Sequence, residues 1–177
     1  MAFAGLLRDL SNRQSGLRLR TNPVNLFQDA MNTHRDPSAA PLSPPDLAPG
    51  PLIDEYLRIL MIPDPGGVRH FVSPDLRIRF TGGRVMHQPG DTSAFNATRY
   101  AWVKKKIERT EVVSGGTAHE TVVYSLGTLY GAWPDGTPFE GNRYVDRYVV
   151  SHGLITEMDV WNDSAEWLLV RAGLARL

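Results

Sequence analysis

The sequence predicts an α+β domain, with helices first and a meander of long antiparallel strands after them. Two observations carry this expectation. Residues 51–61, PLIDEYLRILM, repeat apolar side chains at helical spacing. From residue 108 onward, strand-forming runs alternate with turns rich in Gly, Pro and Asp. A curved sheet with helices on its concave side leaves a cleft between the layers, and such clefts are common ligand sites.

The composition changes near residue 50. Residues 37–51, PSAAPLSPPDLAPGP, hold too many prolines for a helix or a central strand and read as an extended linker. Residues 1–50 are therefore expected to form a weakly structured extension ending in that linker, with a short amphipathic stretch at 22–32. Residues 51–177 are expected as the compact domain.

In the first helix Leu52, Ile53, Tyr56, Leu57, Leu60 and Met61 fall on one face, and Pro63 ends it. A second short helix is expected at 67–72. A strand is expected at 75–81 through Leu76, Ile78 and Phe80, with a turn at Gly82-Gly83. Residues 91–107 read as a longer helix, with Asp91, Thr92 and Ser93 offering N-cap oxygens. Lys104, Lys105 and Lys106 then fall in its last turn, where positive charge complements the helix dipole. Strands follow at 108–113, 119–132, 142–151 and 154–161. Their turns are Ser114-Gly115-Gly116, Pro134-Asp135-Gly136 and His152-Gly153. Asp163 caps a final helix.

Charge and composition exclude several functions. Lys plus Arg number 19 and Asp plus Glu number 19, a formal net charge of zero over 177 residues. Nucleic-acid and membrane-surface proteins usually carry a basic excess, so neither partner is expected. There is no cysteine, which excludes disulfides, thiolate catalysis and thiolate metal sites. No apolar run approaches the length of a bilayer span. The mildly apolar start lacks a cleavage site, and a cytoplasmic location is expected. There is no HExxH, no HxH and no phosphate-binding glycine loop. No metal or cofactor is therefore expected.

Four segments carry a family resemblance: LIDEYLRIL, HFVSPDLRIRFTGG, YVDRYVVSHGLI and ITEMDVWND. Their best local match runs Val145-Asp146-Arg147-Tyr148, then Gly153-Leu154-Ile155. In this order they resemble the SnoaL-like and ketosteroid-isomerase-like domains of the nuclear-transport-factor-2 superfamily, over residues 51–172. The resemblance implies a cone-shaped, curved, antiparallel-rich mixed sheet with helices packed on its concave face (a cystatin-like α+β barrel) around an apolar pocket.

The resemblance also implies site residues. Ketosteroid isomerases hold the substrate's enolate oxygen with a tyrosine of the first helix and a protonated aspartic acid of the penultimate strand. Tyr56 and Asp146 stand at those positions. A phenol and a neutral carboxylic acid can each donate to a developing oxyanion, provided the acid is desolvated. Strand alternation places Tyr144 and Tyr148 on the face of Asp146. Thr156, Met158 and Val160 stand where the family lines its pocket, and Trp102 is a further aromatic for a flat ligand. The opposite face carries Glu157, Asp159 and Trp161, which in this superfamily often packs against a second subunit. A homodimer is the resulting expectation.

The chain departs from its relatives at the base. The isomerase carboxylate that carries the proton falls here on Arg79 or Phe80, and neither can do so. The last-strand acid of the epoxide hydrolases of this fold falls on Val160. His70, on the short helix at the cleft mouth, is the best substitute base, with His87 after it. Two readings stand. One is a cofactor-free isomerase, cyclase or dehydratase acting on a small hydrophobic carbonyl compound of polyketide, steroid or terpenoid type. The other is a non-catalytic small-ligand-binding or dimeric scaffolding module, with Tyr56 an ordinary core residue and Asp146 in a buried ion pair to Arg79 or Arg99.

Overall fold

The computed structural model describes residues 47–176, apart from 63 and 115–118. The expectations for the linker before residue 47 and for the 22–32 stretch lie outside the described residues.

Helix α1 spans Pro49–Leu60. It starts two residues earlier than the sequence suggests, because proline fits the first turn, where its missing N–H would be unpaired in any case. Leu52, Ile53, Tyr56 and Leu57 are fully buried against the sheet. A single 3₁₀ turn, Arg69–Phe71, leads into strand β1, Val72–Phe80. A short hairpin adds β2, Arg84–Met86.

Helix α2 covers only Pro89–Ala97, and here the structure corrects the sequence reading. Gln88 is the N-cap, and the carboxylate of Asp91, three residues on, accepts from the backbone N–H groups of His87 and Gln88 at 3.2 Å. Thr98 stops the helix and turns its hydroxyl onto the carbonyl of Phe95 at 2.8 Å. The chain then enters strand β3, Trp102–Ser114. The lysine run therefore lies in a strand, and its charge does not complement a helix end.

Strands β4, Glu120–Ala132, β5, Pro138–Ser151, and β6, Leu154–Asn162, complete the sheet, and α3, Ser164–Arg171, ends it. The six strands lie in the order β2-β1-β6-β5-β4-β3. β1 runs parallel to β6, and the other pairs are antiparallel. His152 and Gly153 take positive φ angles of 51° and 73° in the two-residue turn between β5 and β6, as such hairpins require.

Register shifts interrupt the ladders between Ile107 and Arg109, Leu129 and Tyr130, and Val149 and Val150. Such bulges bend a strand and re-aim its side chains. At the first of them β3 approaches β4 so closely that a Cβ on Gly127 would collide with the carbonyl of Lys106.

The core has two parts. α1 and Phe71 pack on Leu76, Ile78, Tyr148 and Ile155, among others. A second cluster joins Tyr100, Leu129, Trp133, Phe139 and Tyr144. Among the described residues no helix is long and apolar enough to cross a membrane.

Candidate functional site

The site is set by the alternation of β5. Tyr144, Asp146 and Tyr148 are buried on one face, while Arg147 turns to the other. Their partners on β4 are Gly127, Ser125 and Val123. Ser125, opposite Asp146, is small and leaves space above β4. Lys105 of β3 crosses that space, and its ammonium forms an ion pair with Asp146 Oδ2.

Asp146 is 1 % exposed. Tyr148 donates its hydroxyl to the same Oδ2 at 2.9 Å. Oδ1 has no hydrogen-bond partner among the described residues. Nζ of Lys105 sits 3.8 Å from the centre of the Tyr144 ring, a cation–π contact that holds the ammonium over β5. The Tyr144 hydroxyl is in turn held by Ser125 at 3.0 Å. A buried carboxylate needs a counter-charge, and here a lysine supplies it.

Tyr148 and Tyr56 donate their hydroxyls, to Asp146 and to Met158. Burial, and then the charge of Asp146, push the Tyr148 phenol well above its ordinary value. The same two causes, in the same order, raise Tyr56. Burial outweighs the Ser125 hydrogen bond at Tyr144, which is pushed up to about 12. None of them loses its proton near neutral pH.

Over this polar centre lies a cavity of about 100 Å³. Its wall includes Leu57, Leu60, Phe80, Val103, Met158 and Val160, with Lys105, Asp146 and Tyr148 at the polar end. Met61 helps to fix this wall, because its sulfur receives the backbone N–H of Lys105 at 3.2 Å. The space is smaller than the ~150 Å³ cavity that takes up benzene. It is too small to enclose a polycyclic ligand, which would leave most of its body outside.

The expected residues divide. Asp146, Tyr148, Met158 and Val160 stand together on the cavity, and Tyr144 forms the seat under Lys105. Tyr56 is fully buried beside them, but its hydroxyl points to the sulfur of Met158 at 3.5 Å and not into the cavity. Three residues are not brought to the cavity. Thr156 falls at the β5–β6 bulge, where its hydroxyl bonds the carbonyl of Val149 at 3.2 Å. Trp102 is 49 % exposed and packs edge-on against Tyr130, on the side of β3 opposite Val103. His70 is exposed, with its ring against Phe71 at 4.3 Å.

The counter-ion is corrected as well. Arg79 pairs with Asp159, at 2.5 and 2.9 Å, on the other face of the sheet. A carboxylate paired with an ammonium accepts hydrogen bonds, so Asp146 is not the neutral donor that the resemblance implies. Lys105 is the functional residue the sequence reading missed. Its signal was the period-two run Val103, Lys105, Ile107. Among the described residues, no three His, Asp or Glu side chains gather in a way that would hold a metal.

No family model and no curated protein matches the chain. Solved structures do match it. An NTF2-like protein of unknown function from Burkholderia pseudomallei K96243 superposes with a TM-score of 0.55 at 19 % identity, over 67 % of this chain and 92 % of that one. TerC, crystallised with polyporic acid, gives 0.53 at 17 %, over 71 % and 96 %. The 96–104 loop-truncation variant of IdmH gives 0.52 at 20 %, over 68 % and 97 %.

The chain has the NTF2-like fold.

At these identities the likeness carries the architecture alone. Asp146, on the penultimate strand β5, is buried against Lys105. The chemistry must therefore be argued from Lys105, Asp146 and the apolar wall around them.

Proposed function

We propose that this NTF2-like chain is a cofactor-free enzyme that isomerises, cyclises or dehydrates a small hydrophobic carbonyl compound by way of an enolate. One observation carries the reading. Asp146 is a buried carboxylate at the end of an apolar cavity, committed through one oxygen and unpartnered at the other. Beside it, the Lys105 ammonium is placed to stabilise the negative charge that develops on a carbonyl oxygen.

In this reading the Asp146 carboxylate takes the proton from the carbon next to the substrate carbonyl. The C–H electrons move into the new C=C bond, and the carbonyl π electrons move to oxygen, beside Lys105. Asp146 then returns the proton at another carbon, which isomerises the substrate. Alternatively the enolate carbon closes on a second carbonyl, whose oxygen takes the proton from Asp146, or a hydroxyl on the next carbon takes that proton and leaves as water. No step needs an external electron carrier. Tyr148 keeps the carboxylate oriented, and Met158 and Val160 keep it dry.

A β,γ-unsaturated cyclohexenone, a single small ring with one carbonyl, tests the reading, since its conversion to the conjugated isomer is followed by absorbance. Wild type accelerates the conversion, and Asp146→Asn lowers the rate by about 10²-fold or more. A folded wild-type protein that leaves the background rate unchanged contradicts the proposal.

The outer face of the sheet supports the homodimer as a second proposal. Trp102, Tyr130 and Trp161 are exposed there, and Leu126, Val145 and Trp161 wall an open groove of about 670 Å³. Sedimentation of wild type against Trp161→Glu tests it. Identical monomeric behaviour of the two would count against a dimer.

A further inference from the structure

We infer that Lys105 captures small aldehydes and ketones covalently, as an imine on its Nζ, with Asp146 carrying the protons. The enolate route proposed above leaves Lys105 unmodified. Imine formation is a further reaction of the same cavity and does not depend on that route.

The choice of base at this position points to it. Of the 19 Lys and Arg residues only three are lysines, the run Lys104, Lys105 and Lys106. Elsewhere the structure pairs its acids with arginine: Glu55, Glu111, Asp135, Asp159 and Asp163 each meet a guanidinium. Arginine supplies a permanent positive charge and is not deprotonated in proteins. Against Asp146 the chain places a lysine instead. Lysine adds what arginine lacks, an amine that can give up a proton and attack a carbonyl carbon.

The surroundings suit that reaction. Lys105 and Asp146 both line the cavity, among Leu57, Leu60, Met158 and Val160. The Lys105 side chain keeps 18 % of its surface accessible, against 2 % for Asp146. Nζ contacts Asp146 Oδ2 and rests on the Tyr144 ring, so the amine and its proton acceptor are already in place. The apolar wall limits the water that would hydrolyse an imine. Thr92, Asn96, Tyr100 and Asn162 add neutral polar groups to the lining, and none of these forms an imine. Lys104 also borders the cavity, but it forms no ion pair among the described residues, and Lys106 is exposed.

The steps balance around the one carboxylate. The ammonium passes a proton to Asp146, and the freed lone pair of Nζ attacks the carbonyl carbon. The carbonyl π electrons move to oxygen, which takes the proton from Asp146. Asp146 then removes a second proton from nitrogen, leaving a neutral carbinolamine. It returns that proton to the hydroxyl, which leaves as water while the nitrogen lone pair forms the C=N bond. The product is a protonated imine beside a carboxylate, so the ion pair is restored and no oxidant or reductant is consumed.

Reductive trapping tests this. The full-length wild-type chain is incubated at neutral pH with cyclohexanone and cyanoborohydride, which reduces the imine to a stable secondary amine. Fragmentation mass spectrometry then locates the added cyclohexyl groups. Lys105 is expected to be labelled about tenfold or more faster than Lys104, Lys106 and the N-terminal amine. Lys105→Arg keeps a positive charge against Asp146 and removes the nucleophile, so the fast adduct should vanish. Labelling spread evenly over the three lysines of wild type, or none at Lys105, overturns the inference, as does a fast adduct that persists in a folded Lys105→Arg chain. The wild-type map decides the question alone if that variant does not fold. Cyclohexenone turnover without an adduct at Lys105 removes this inference and leaves the proposed function standing. An adduct at Lys105 without turnover does the reverse.

Discussion

Lys105→Met removes the counter-charge of a carboxylate that has no alternative. In the structure the Asp146 side chain is 2 % exposed and the Lys105 side chain 18 %, so water does not replace the ammonium. Tyr148 still donates one hydrogen bond to Oδ2, and Oδ1 stays bare. Breaking a buried pair by deleting one partner costs about 3–5 kcal/mol, most of it the stranded charge. For a domain of this size each kcal/mol shifts the melting temperature by roughly 3–4 °C, so the variant should melt about 9–20 °C below wild type. Calorimetry or circular dichroism at neutral pH measures this. The double variant Lys105→Met, Asp146→Leu strands no charge and should recover to wild-type stability or exceed it. The cycle built from the two single variants and the double gives the coupling directly. A Lys105→Met protein that melts within about 2 °C of wild type would refute the reasoning, because Asp146 would then have no need of its lysine.

Four further outcomes are expected. Tyr56→Phe loses a hydroxyl whose hydrogen bond goes only to a weak sulfur acceptor, so urea unfolding should place it within about 1 kcal/mol of wild type with cyclohexenone turnover retained. Gly127→Ala forces a Cβ onto the β3 backbone and should cost about 3 kcal/mol in the same experiment. At Asp159 burial raises the carboxyl, but the hydrogen bonds and charges of Arg79 and Arg147 outweigh it and hold the group below its ordinary value. The stability it adds is present above the unfolded value of about 3.9 and is lost as pH falls through the lower folded one. Thermal scans from neutral pH into acid should therefore show a flatter decline for Asp159→Asn than for wild type. Leu57→Ala opens the wall between α1 and the cavity and should cost about 2–5 kcal/mol, with weaker binding of cyclohexanone by calorimetry.

The parts of the fold that alternate in hydrophobicity could be read from the sequence, and so could α1. Leu52, Ile53, Tyr56 and Leu57 repeat at helical spacing because they are the buried side of a helix. β5 shows its inward Tyr144 and Tyr148 around Asp146 for the same kind of reason. β3 did not show itself. Its inward positions include Lys105, so the hydrophobic alternation is broken where the site begins. Phe95, Trp102 and Val103 then imitate a helical face across the Thr98 stop.

The missed strand and the missed lysine are one error, because a strand that delivers a charge to a buried aspartate looks polar on both faces. Of three adjacent lysines only the middle one points to Asp146. That distinction needs the register of β3 against β4, which no single strand encodes. Thr156 was misplaced for a related reason. The bulge at Val149 and Val150 resets the alternation, so a count of two from Met158 no longer lands inside.

Proton abstraction by Asp146 is the central claim, and it can be measured without knowing where the proton goes next. Wild type and Asp146→Asn are incubated with cyclohexanone in deuterated buffer, and loss of the proton signal next to the carbonyl is followed by NMR. Wild type should exchange these protons well above the buffer rate, and Asp146→Asn, folded to the same secondary structure, should fall to within a few per cent of that excess, about 10²-fold slower. Exchange at the same rate in both proteins, or none above buffer in wild type, would contradict the account.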